Sequence, residues 1–550
     1  MATSSPRPGR RRLRALDPGG SVLGLALAVL SITPSLLPRP ALLQGVIAAL
    51  CFGLGYLLGA ILWVPLARRR AAAAPPRSRR LFWWLYAAAW IVAVLALAWL
   101  SLLWQNEVRR LVEMAPRSSP DLGLFALGFA PTALLLLAVG RGIRLLYRSL
   151  RPKIGAALAL LGAAAVTVSG LGAVAVLGMS AVDAVYHGLN AAPDAEVAEP
   201  GSAHRSAGPD SAIAWDDLGR HGAAFVGGGP TAAQITALTG RPALEPIRVY
   251  AGVESAPTPQ ERARLIVAEL ERTGAFDRAV LVLATTTGSG WLEPQTVDAI
   301  EYLHLGDTAI ASMQYAYTPS WVSFLFDPDA PVASAEALYD AVVAHWQRLP
   351  AGDRPLLLSY GLSLGAHGSQ ALFADVADLR ARVDGAMFVG SPNGSPLWRS
   401  LQAARDDGSP AWQPVLDDGR DVRWISRAGD EDRLPGVWER PRLLYLQHAT
   451  DPVTWLSADL LLSAPEWLES DQRGPDISSA MRWMPVVTAL QVGIDMLGGE
   501  AVPARHGHNF GDVVTTGWRL VAGDAGLDAD AVTAIEQEIA SYAPIQAHAE

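Results

Sequence analysis

Long apolar runs separated by short arginine-rich segments make up the first part of the chain. A helix needs about 20 mostly apolar residues to cross the hydrocarbon core of a membrane. The candidate spans are residues 22–37, 42–66, 81–104, 122–139 and 154–182. The pattern therefore predicts an all-α transmembrane region of about five helices over residues 1–185. In the second run, Gly55 and Gly59 form a small-xxx-small pair that would let two helices approach closely.

The first run is the shortest, and it has an alternative interpretation as a secretory signal. Arginines precede it at positions 10, 11, 12 and 14. Its end, Ser31-Ile-Thr-Pro-Ser-Leu-Leu-Pro38, lacks the small-x-small cleavage site of such signals. We therefore expect the segment to stay in the protein as a span.

The arginines also predict orientation, because Lys and Arg concentrate in cytoplasmic loops. The basic segments lie before residue 15, at 68–80 and at 141–153, and all three fall on one side if every run spans. Five spans that start inside end outside, so we expect a multi-pass protein of the cell membrane whose C-terminal domain is extracytoplasmic. The middle of each run lacks Asp, Glu, Lys and His, which favours an anchor over a transporter.

Beyond residue 185 the pattern changes. Residues 186–211 are rich in Ala, Pro, Gly, Ser and acids, which is typical of a linker or exposed loop. Over residues 212–550, short apolar or β-branched runs alternate with amphipathic stretches, the pattern of an α/β domain with a mostly parallel sheet. Strands are predicted at 247–251, 279–284, 309–315, 355–360, 385–389 and 442–447, and helices at 259–273, 333–349, 364–383 and 531–542.

Composition narrows the possible chemistry. The net charge is −9 and the acidic residues are concentrated in the globular half, which argues against a nucleic-acid partner. The one cysteine, Cys51, lies in an apolar run, which excludes an intramolecular disulfide framework and argues against a cysteine nucleophile. No His-Glu-x-x-His motif is present, and Gly227-Gly-Gly-Pro230 lacks the Lys-Ser/Thr of a phosphate loop. We expect no metal and no cofactor, and the sequence does not indicate an oligomeric state.

The most informative segment joins a predicted buried strand to a helix through Gly361-Leu-Ser363-Leu-Gly365. Such a corner is strained and brings backbone atoms close together, so it requires small residues on both sides of the serine. An ordinary turn can produce the same match, but here the strand before it and the helix after it are both predicted. We therefore predict that Ser363 is a nucleophile and that the Leu364 N–H binds a developing oxyanion.

A serine hydroxyl needs a base to take its proton, and an acid to orient that base. The glycine-flanked loop 505–511 holds two histidines, of which His508 is the predicted base and His506 the alternative. Asp451 follows strand 442–447 at the sheet edge where catalytic groups gather. It is the predicted acid, and its alternative role is to cap the helix that begins at Pro452.

The second oxyanion donor is expected in the loop that follows strand 279–284. This loop reads Ala284-Thr-Thr-Thr-Gly-Ser-Gly-Trp291. Its position and its flexibility make Thr287 and Gly288 the predicted donors.

Five segments spread over nearly the whole chain together match the pattern of a known family. They are Ser35-Leu-Leu-Pro-Arg39, Trp215-Asp-Asp-Leu-Gly-Arg220, Arg248-Val-Tyr-Ala-Gly-Val-Glu254, the Gly-Leu-Ser-Leu-Gly corner and Gly507-His-Asn-Phe-Gly511. With them the chain resembles the actinobacterial membrane-anchored α/β-hydrolase family, whose members join an N-terminal multi-span region to a C-terminal hydrolase domain. The resemblance implies hydrolase activity without a defined substrate. Arg505 stands where such relatives often carry glycine, which leaves the choice between His506 and His508 open.

These features predict a serine hydrolase of the esterase or lipase type that acts on an ester or acyl lipid of the cell envelope through a Ser-His-Asp triad and an acyl-enzyme. Residues 455–497 are unusually apolar and would either cap an acyl pocket or pack as a helical insertion. Two alternatives stay open: an acyltransferase of the same fold, and a catalytically silent membrane scaffold. Serine, acid and histidine candidates in the right order argue against the scaffold.

Overall fold

The computed structural model describes residues 17–70, 76–192, 196–434 and 436–542. The arginines at positions 10 to 14 and part of the segment 68–80 lie outside these residues. The chain divides into two compact units. The first contains the described residues of 1–34, 39–107 and 116–165, and the second contains 35–38, 108–115 and the described residues of 166–550. Two short N-terminal segments therefore belong to the same unit as the C-terminal domain.

Helices form the N-terminal region. They are α1 (Pro18–Leu30), α2 (Ala41–Arg70), α3 (Pro76–Leu111) and α4 (Leu122–Asn190). Helices α1 and α2 approach closely at the predicted glycine pair, since a Cβ added at Gly55 would lie 2.6 Å from the Leu23 carbonyl oxygen and one at Gly59 2.4 Å from that of Gly19. Small residues thus set the distance between these two helices.

Three of these helices are long and apolar enough to cross a membrane, over Ala41–Trp63, Arg80–Leu111 and Leu122–Asn190. The predicted count of about five spans is not confirmed. Helix α1 has 13 residues, and prolines follow it at positions 34, 38 and 40. The last two predicted spans lie within α4, and the basic segment 141–153 between them is helical rather than a loop. The helical geometry of α4 is broken at Gly155, where φ is 81°.

The C-terminal domain is built on a sheet of seven strands. They are β1 (Ile247–Ala251), β2 (Val280–Thr285), β3 (Thr308–Met313), β4 (Leu356–Leu362), β5 (Gly385–Val389), β6 (Val422–Ile425) and β7 (Arg442–Leu446). Their order is β1-β3-β2-β4-β5-β7-β6, and every described pair is parallel. The mostly parallel sheet predicted from the sequence is confirmed. Strand β6 was not predicted, because a run of four residues carries little signal.

Helices connect the strands and cover the sheet. They are α5 (Gly219–Gly227), α6 (Ala232–Thr239), α7 (Pro259–Thr273), α8 (Pro294–Leu303), α9 (Ser320–Phe326), α10 (Ala330–Trp346), α11 (Leu364–Ala371), α12 (Val376–Arg382), α13 (Pro396–Ala403), α14 (Pro452–Trp455), α15 (Val487–Asp495), α16 (Val514–Val521) and α17 (Ala529–Ser541). The single helix predicted at 364–383 is two helices, α11 and α12. The side chain of Asp375 accepts a hydrogen bond from Asp378 N and starts α12 afresh.

The segment 186–211, expected to be a linker, is partly built into the second unit. Helix α4 extends into it as far as Asn190, and Arg205 and Ser206 are buried. Arg205 forms a parallel bridge with Arg248 of β1. Arg248 is itself buried, and its Nε donates to Glu301 Oε1 at 2.8 Å. The motif that begins at Arg248 therefore supports the edge of the sheet.

Candidate active site

Ser363 occupies the sharp corner between β4 and α11. Its backbone has φ 55° and ψ −121°, a conformation that a residue with a side chain adopts only under strain. A Cβ added at Gly361 would lie 2.3 Å from the carbonyl carbon of Gly365, and one added at Gly365 would lie 2.2 Å from the Thr285 oxygen. Both glycines are thus required by close backbone contacts, as the sequence pattern predicts.

His508 and Asp451 form a buried pair, although 57 residues separate them. His508 Nδ1 lies 2.8 Å from Asp451 Oδ2, and both side chains are at most 4% exposed. Asp451 follows β7, and its Oδ1 also accepts from Val453 N at 2.8 Å at the start of α14. One carboxylate oxygen therefore caps the helix while the other faces the imidazole, so the cap leaves the predicted acid role open.

The pair controls the protonation of His508. Burial by itself lowers the pKa of this imidazole, but the charge of Asp451 and the hydrogen bond to it outweigh burial and raise the pKa to about 9. The carboxylates of Glu500 and Glu293 add to this increase. The arrangement therefore stabilises the imidazolium form, which arises whenever His508 takes a proton.

A cavity of about 270 Å³ brings Ser363 and His508 together. Both residues line it, with Leu364, Thr287 and the apolar side chains of Leu456 and Met496 among its other walls. His508 Nε2 is buried and makes no hydrogen bond within the part of the chain that the structure describes. With Nδ1 occupied by Asp451, this second nitrogen is the one left to exchange a proton with a group in the cavity.

Comparison with known proteins shows the family of the chain. A sequence model of an alpha/beta-hydrolase family matches residues 247–535, and a model of the N-terminus of an alpha/beta-hydrolase family matches residues 32–230. The chain belongs to this alpha/beta-hydrolase family. No curated protein and no solved structure matches the chain detectably. The family resemblance stated from the sequence is confirmed, whereas an actinobacterial origin stays a prediction.

The other histidine of the loop, His506, lies in a separate polar network of the hydrolase domain. Its Nδ1 is 3.0 Å from Asp476 Oδ2. The same carboxylate oxygen accepts from the Thr450 hydroxyl at 3.1 Å, and that hydroxyl accepts from Gly507 N at 2.9 Å. His506 is not among the residues that line the cavity with Ser363. The network thus fixes the backbone next to His508. Asp476, which no sequence pattern indicated, is part of this network.

The predicted oxyanion donors of the loop after β2 are placed differently from expectation. The Thr287 N–H donates to Trp291 O at 3.0 Å, and the Gly288 N–H donates to Ser320 Oγ at 3.2 Å. The backbone amides are therefore engaged within the protein. The Thr287 hydroxyl, in contrast, is buried without a hydrogen-bond partner among the described residues, and Thr287 lines the cavity. Leu364 is the first residue of α11, so its N–H has no acceptor within the helix.

Two carboxyl groups near His508 were not selected from the sequence. Glu293 is buried at the start of α8, accepts a hydrogen bond from Thr296, and has a pKa raised by burial. Glu500 lines the cavity. Their sequence neighbours form no recognisable motif. Among the described residues, no group of three or more His, Cys, Asp or Glu side chains could hold a metal ion.

The apolar segment 455–497 contributes both to the core and to the cavity. Trp455 and Trp467 are buried and pack against each other, with ring centroids 5.5 Å apart. Leu456, Met496 and Leu497 line the cavity. The segment is therefore a packed insertion, and its two ends form part of the cavity wall.

Proposed function

We propose that this alpha/beta-hydrolase is a membrane-anchored serine hydrolase that cleaves an ester or acyl lipid of the cell envelope. The observation that carries the proposal is the shared cavity: Ser363, held at a strained corner, faces the same space as His508, whose other nitrogen is bound to Asp451. A nucleophile, a base and a group that orients the base are the parts that acyl transfer to a serine requires.

In the first half of the reaction, Ser363 Oγ attacks the carbonyl carbon of the ester while its proton passes to His508 Nε2. The carbonyl oxygen becomes an oxyanion, which accepts hydrogen bonds from the Leu364 N–H and the Thr287 hydroxyl. When the intermediate collapses, the bond to the leaving alcohol breaks and the alcohol takes the proton from Nε2. An acyl-enzyme and a free alcohol result.

In the second half, water attacks the carbonyl carbon of the acyl-enzyme and gives a proton to His508 Nε2. Ser363 Oγ then leaves and recovers that proton, and the carboxylic acid is released. Asp451 stays ionised throughout, since its role is to hold the imidazole in the useful tautomer and to stabilise the imidazolium.

The size of the cavity limits the substrate. At about 270 Å³, it falls at the lower end of ligand pockets, which measure about 300–1,000 Å³. It would take one acyl group against Phe324, Leu456 and Met496, while the alcohol part of the ester lies outside. The long apolar helices of the N-terminal region would keep the enzyme at a membrane, where acyl lipids are concentrated.

A fluorophosphonate probe tests the proposal, because it reacts with activated serines. Membranes that hold the wild type and Ser363→Ala at equal expression are labelled side by side. We expect the wild type to be labelled and Ser363→Ala to be unlabelled. Labelling that survives in Ser363→Ala would refute the nucleophile assignment, and an unlabelled but folded wild type would favour the silent scaffold.

The extracytoplasmic location of the hydrolase domain is a separate part of the proposal. Cys51 is the single cysteine and is 1% exposed, so new cysteines can be added in its presence. Ser541→Cys in α17 should react with a membrane-impermeant maleimide on intact cells. Ser149→Cys, in the basic segment 141–153, should react only after the cells are permeabilised. Both sites are exposed, so the opposite result would place the domain in the cytoplasm.

A further inference from the structure

The segment Ser35–Pro38 lies in the same compact unit as the hydrolase domain, although it follows the first apolar helix in the sequence. Leu36 and Leu37 are at most 1% exposed and belong to the main hydrophobic core. We call Ser35–Pro38 the leucine clamp. Burial of two leucines in the core of the second unit is unexpected for the short connection between α1 and α2, because connections normally run over the surface.

One carboxylate fixes the backbone of the leucine clamp. Asp495 Oδ2 accepts from the Leu36 N–H at 3.1 Å and from the Leu37 N–H at 3.3 Å. Asp495 is 2% exposed and is the last residue of α15. Hydrogen bonds between a buried carboxylate and backbone amides are stronger than bonds between neutral groups, so the leucine clamp holds the end of this helix.

The residues after Asp495 lead directly to the candidate base. Four residues further on, the Gly499 carbonyl accepts from His508 N at 2.8 Å. Met496, Leu497 and Gly499 line the cavity together with His508. The position of α15's end therefore sets both a wall of the cavity and a backbone anchor of His508.

The leucine clamp also touches the histidine loop itself. A Cβ added at Gly507 would lie 2.5 Å from the Gly499 oxygen and 3.2 Å from Leu37 Cδ1. Gly507 has φ 55°, which places His508 immediately after a turn that packs against Leu37. The loop is thus enclosed between Leu37 and the segment that Asp495 holds.

We propose that the leucine clamp is a positioning element of the active site, which holds His508 in the wall of the cavity that Ser363 also lines. The proposal rests on the proposed function, in which His508 is the base. It assigns to an N-terminal segment a role in catalysis besides the anchoring that its neighbours provide. Misplacement of a catalytic group by about 1 Å costs on the order of 100-fold in rate.

The test uses the full-length protein in detergent micelles, with two measurements on each variant. Hydrogen exchange reports the protection of peptides that cover residues 499–509, and the fluorophosphonate labelling rate reports the reactivity of Ser363. Leu37→Ala should raise exchange in those peptides and slow labelling by about 10- to 100-fold. Leu37→Met, which keeps the volume, should stay within about threefold of the wild type in both measurements.

Asp495 provides a second, independent perturbation of the leucine clamp. Asp495→Ala removes the acceptor of both amides and should behave like Leu37→Ala. Asp495→Asn keeps one oxygen acceptor and should lose less. The labelling rate should also level off at a lower pH in Leu37→Ala than in the wild type, where the pKa of His508 is about 9. The reason is that a displaced His508 lies farther from the carboxylates of Asp451, Glu500 and Glu293 that raise its pKa.

Val112→Ala is the matched control. Val112 comes from the other N-terminal segment of the same unit, is 0% exposed and belongs to the same core. It should lower the thermal stability without changing exchange at 499–509 or the labelling rate. Equal effects from Val112→Ala, or no effect from Leu37→Ala, would overturn the positioning role alone. An unlabelled wild type would overturn the proposed function and the catalytic meaning of the leucine clamp together.

Discussion

His506 and His508 differ in what lies near the second ring nitrogen, although both face an aspartate through Nδ1. The distances are 3.0 Å to Asp476 and 2.8 Å to Asp451. Both rings are buried, and neither Nε2 has a hydrogen-bond partner in the described ranges. Of the two, His508 is the one that lines the cavity with Ser363. A histidine–aspartate pair is therefore not sufficient to identify a base, and a place in the cavity that Ser363 lines is the feature that separates the two.

The two histidines supply the largest expected difference. His508→Asn should slow fluorophosphonate labelling of Ser363 by about 10⁴-fold or more, because the serine loses its base. His506→Asn should stay within about tenfold of the wild type, since it affects only the support of the loop. The measurement is the labelling rate constant of each purified, folded variant. A reversed order would make His506 the base.

The two aspartates should give the next largest difference. Asp451→Asn should slow labelling by about 10³- to 10⁴-fold, because the amide no longer fixes the imidazole tautomer or stabilises the imidazolium. Asp476→Asn should instead lower the free energy of unfolding by about 1–3 kcal/mol and leave the rate nearly unchanged. Labelling kinetics and thermal unfolding of both variants check the pair. Similar labelling rates for Asp451→Asn and Asp476→Asn would show that the two histidine–aspartate pairs contribute equally to the reactivity of Ser363.

Two buried threonines extend the comparison to hydroxyl groups. Thr287→Val should slow labelling by about 10²- to 10³-fold if its hydroxyl binds the oxyanion. Thr450→Val leaves the Gly507 N–H and the Asp476 carboxylate with one partner fewer, so we expect a loss of about 1–3 kcal/mol in stability and a rate within about tenfold of the wild type. Thr287→Ser serves as the control that keeps the hydroxyl.

The smallest effect is the pH dependence. His508 must be neutral to accept the proton of Ser363, and its pKa is raised to about 9 by Asp451, Glu500 and Glu293 against the effect of burial. Below pH 9 the imidazolium dominates, so the labelling rate should rise about tenfold between pH 7 and pH 8 and level off above pH 9. A plateau already at pH 7 would mean that His508 is not the titrating base. The labelling rate of His506→Asn should rise and level off at the same pH values as that of the wild type.

Much of the hydrolase domain was predictable because its signals are local. Strands β1 and β5 were predicted to the residue. Strand β5 is an apolar run, Arg248 is the one charged residue within β1, and every residue of both strands is buried. Helix α7 was likewise predicted to the residue; it has a capping box at Thr258 and a left-handed glycine cap at Gly274. The strand–corner–helix context of Ser363 lies within residues 356–371, so no tertiary information was needed.

The features that sequence reasoning missed depend on long-range contacts. Asp476 meets His506 from an irregular segment 30 residues away, and no spacing rule connects them. The Thr287 N–H donates to Trp291 O within a turn. The threonines and glycines of this loop do not reveal that hydrogen bond in the sequence. The basic segment 141–153 was wrongly predicted to be a loop, because arginine and leucine are also good helix formers.

The hydrogen bond between Leu36 and Asp495 spans 459 residues. Ribosomes add about 5–20 residues per second, so Leu36 is made roughly half a minute to a minute and a half before its acceptor. During that interval the Leu36 and Leu37 N–H groups lack this acceptor, and the histidine loop does not yet exist. The hydrolase unit therefore cannot complete its packing around the leucine clamp until Asp495 has been made. A product truncated before Asp495 would keep the long apolar helices and lack the histidine loop, so the candidate active site depends on synthesis beyond Asp495.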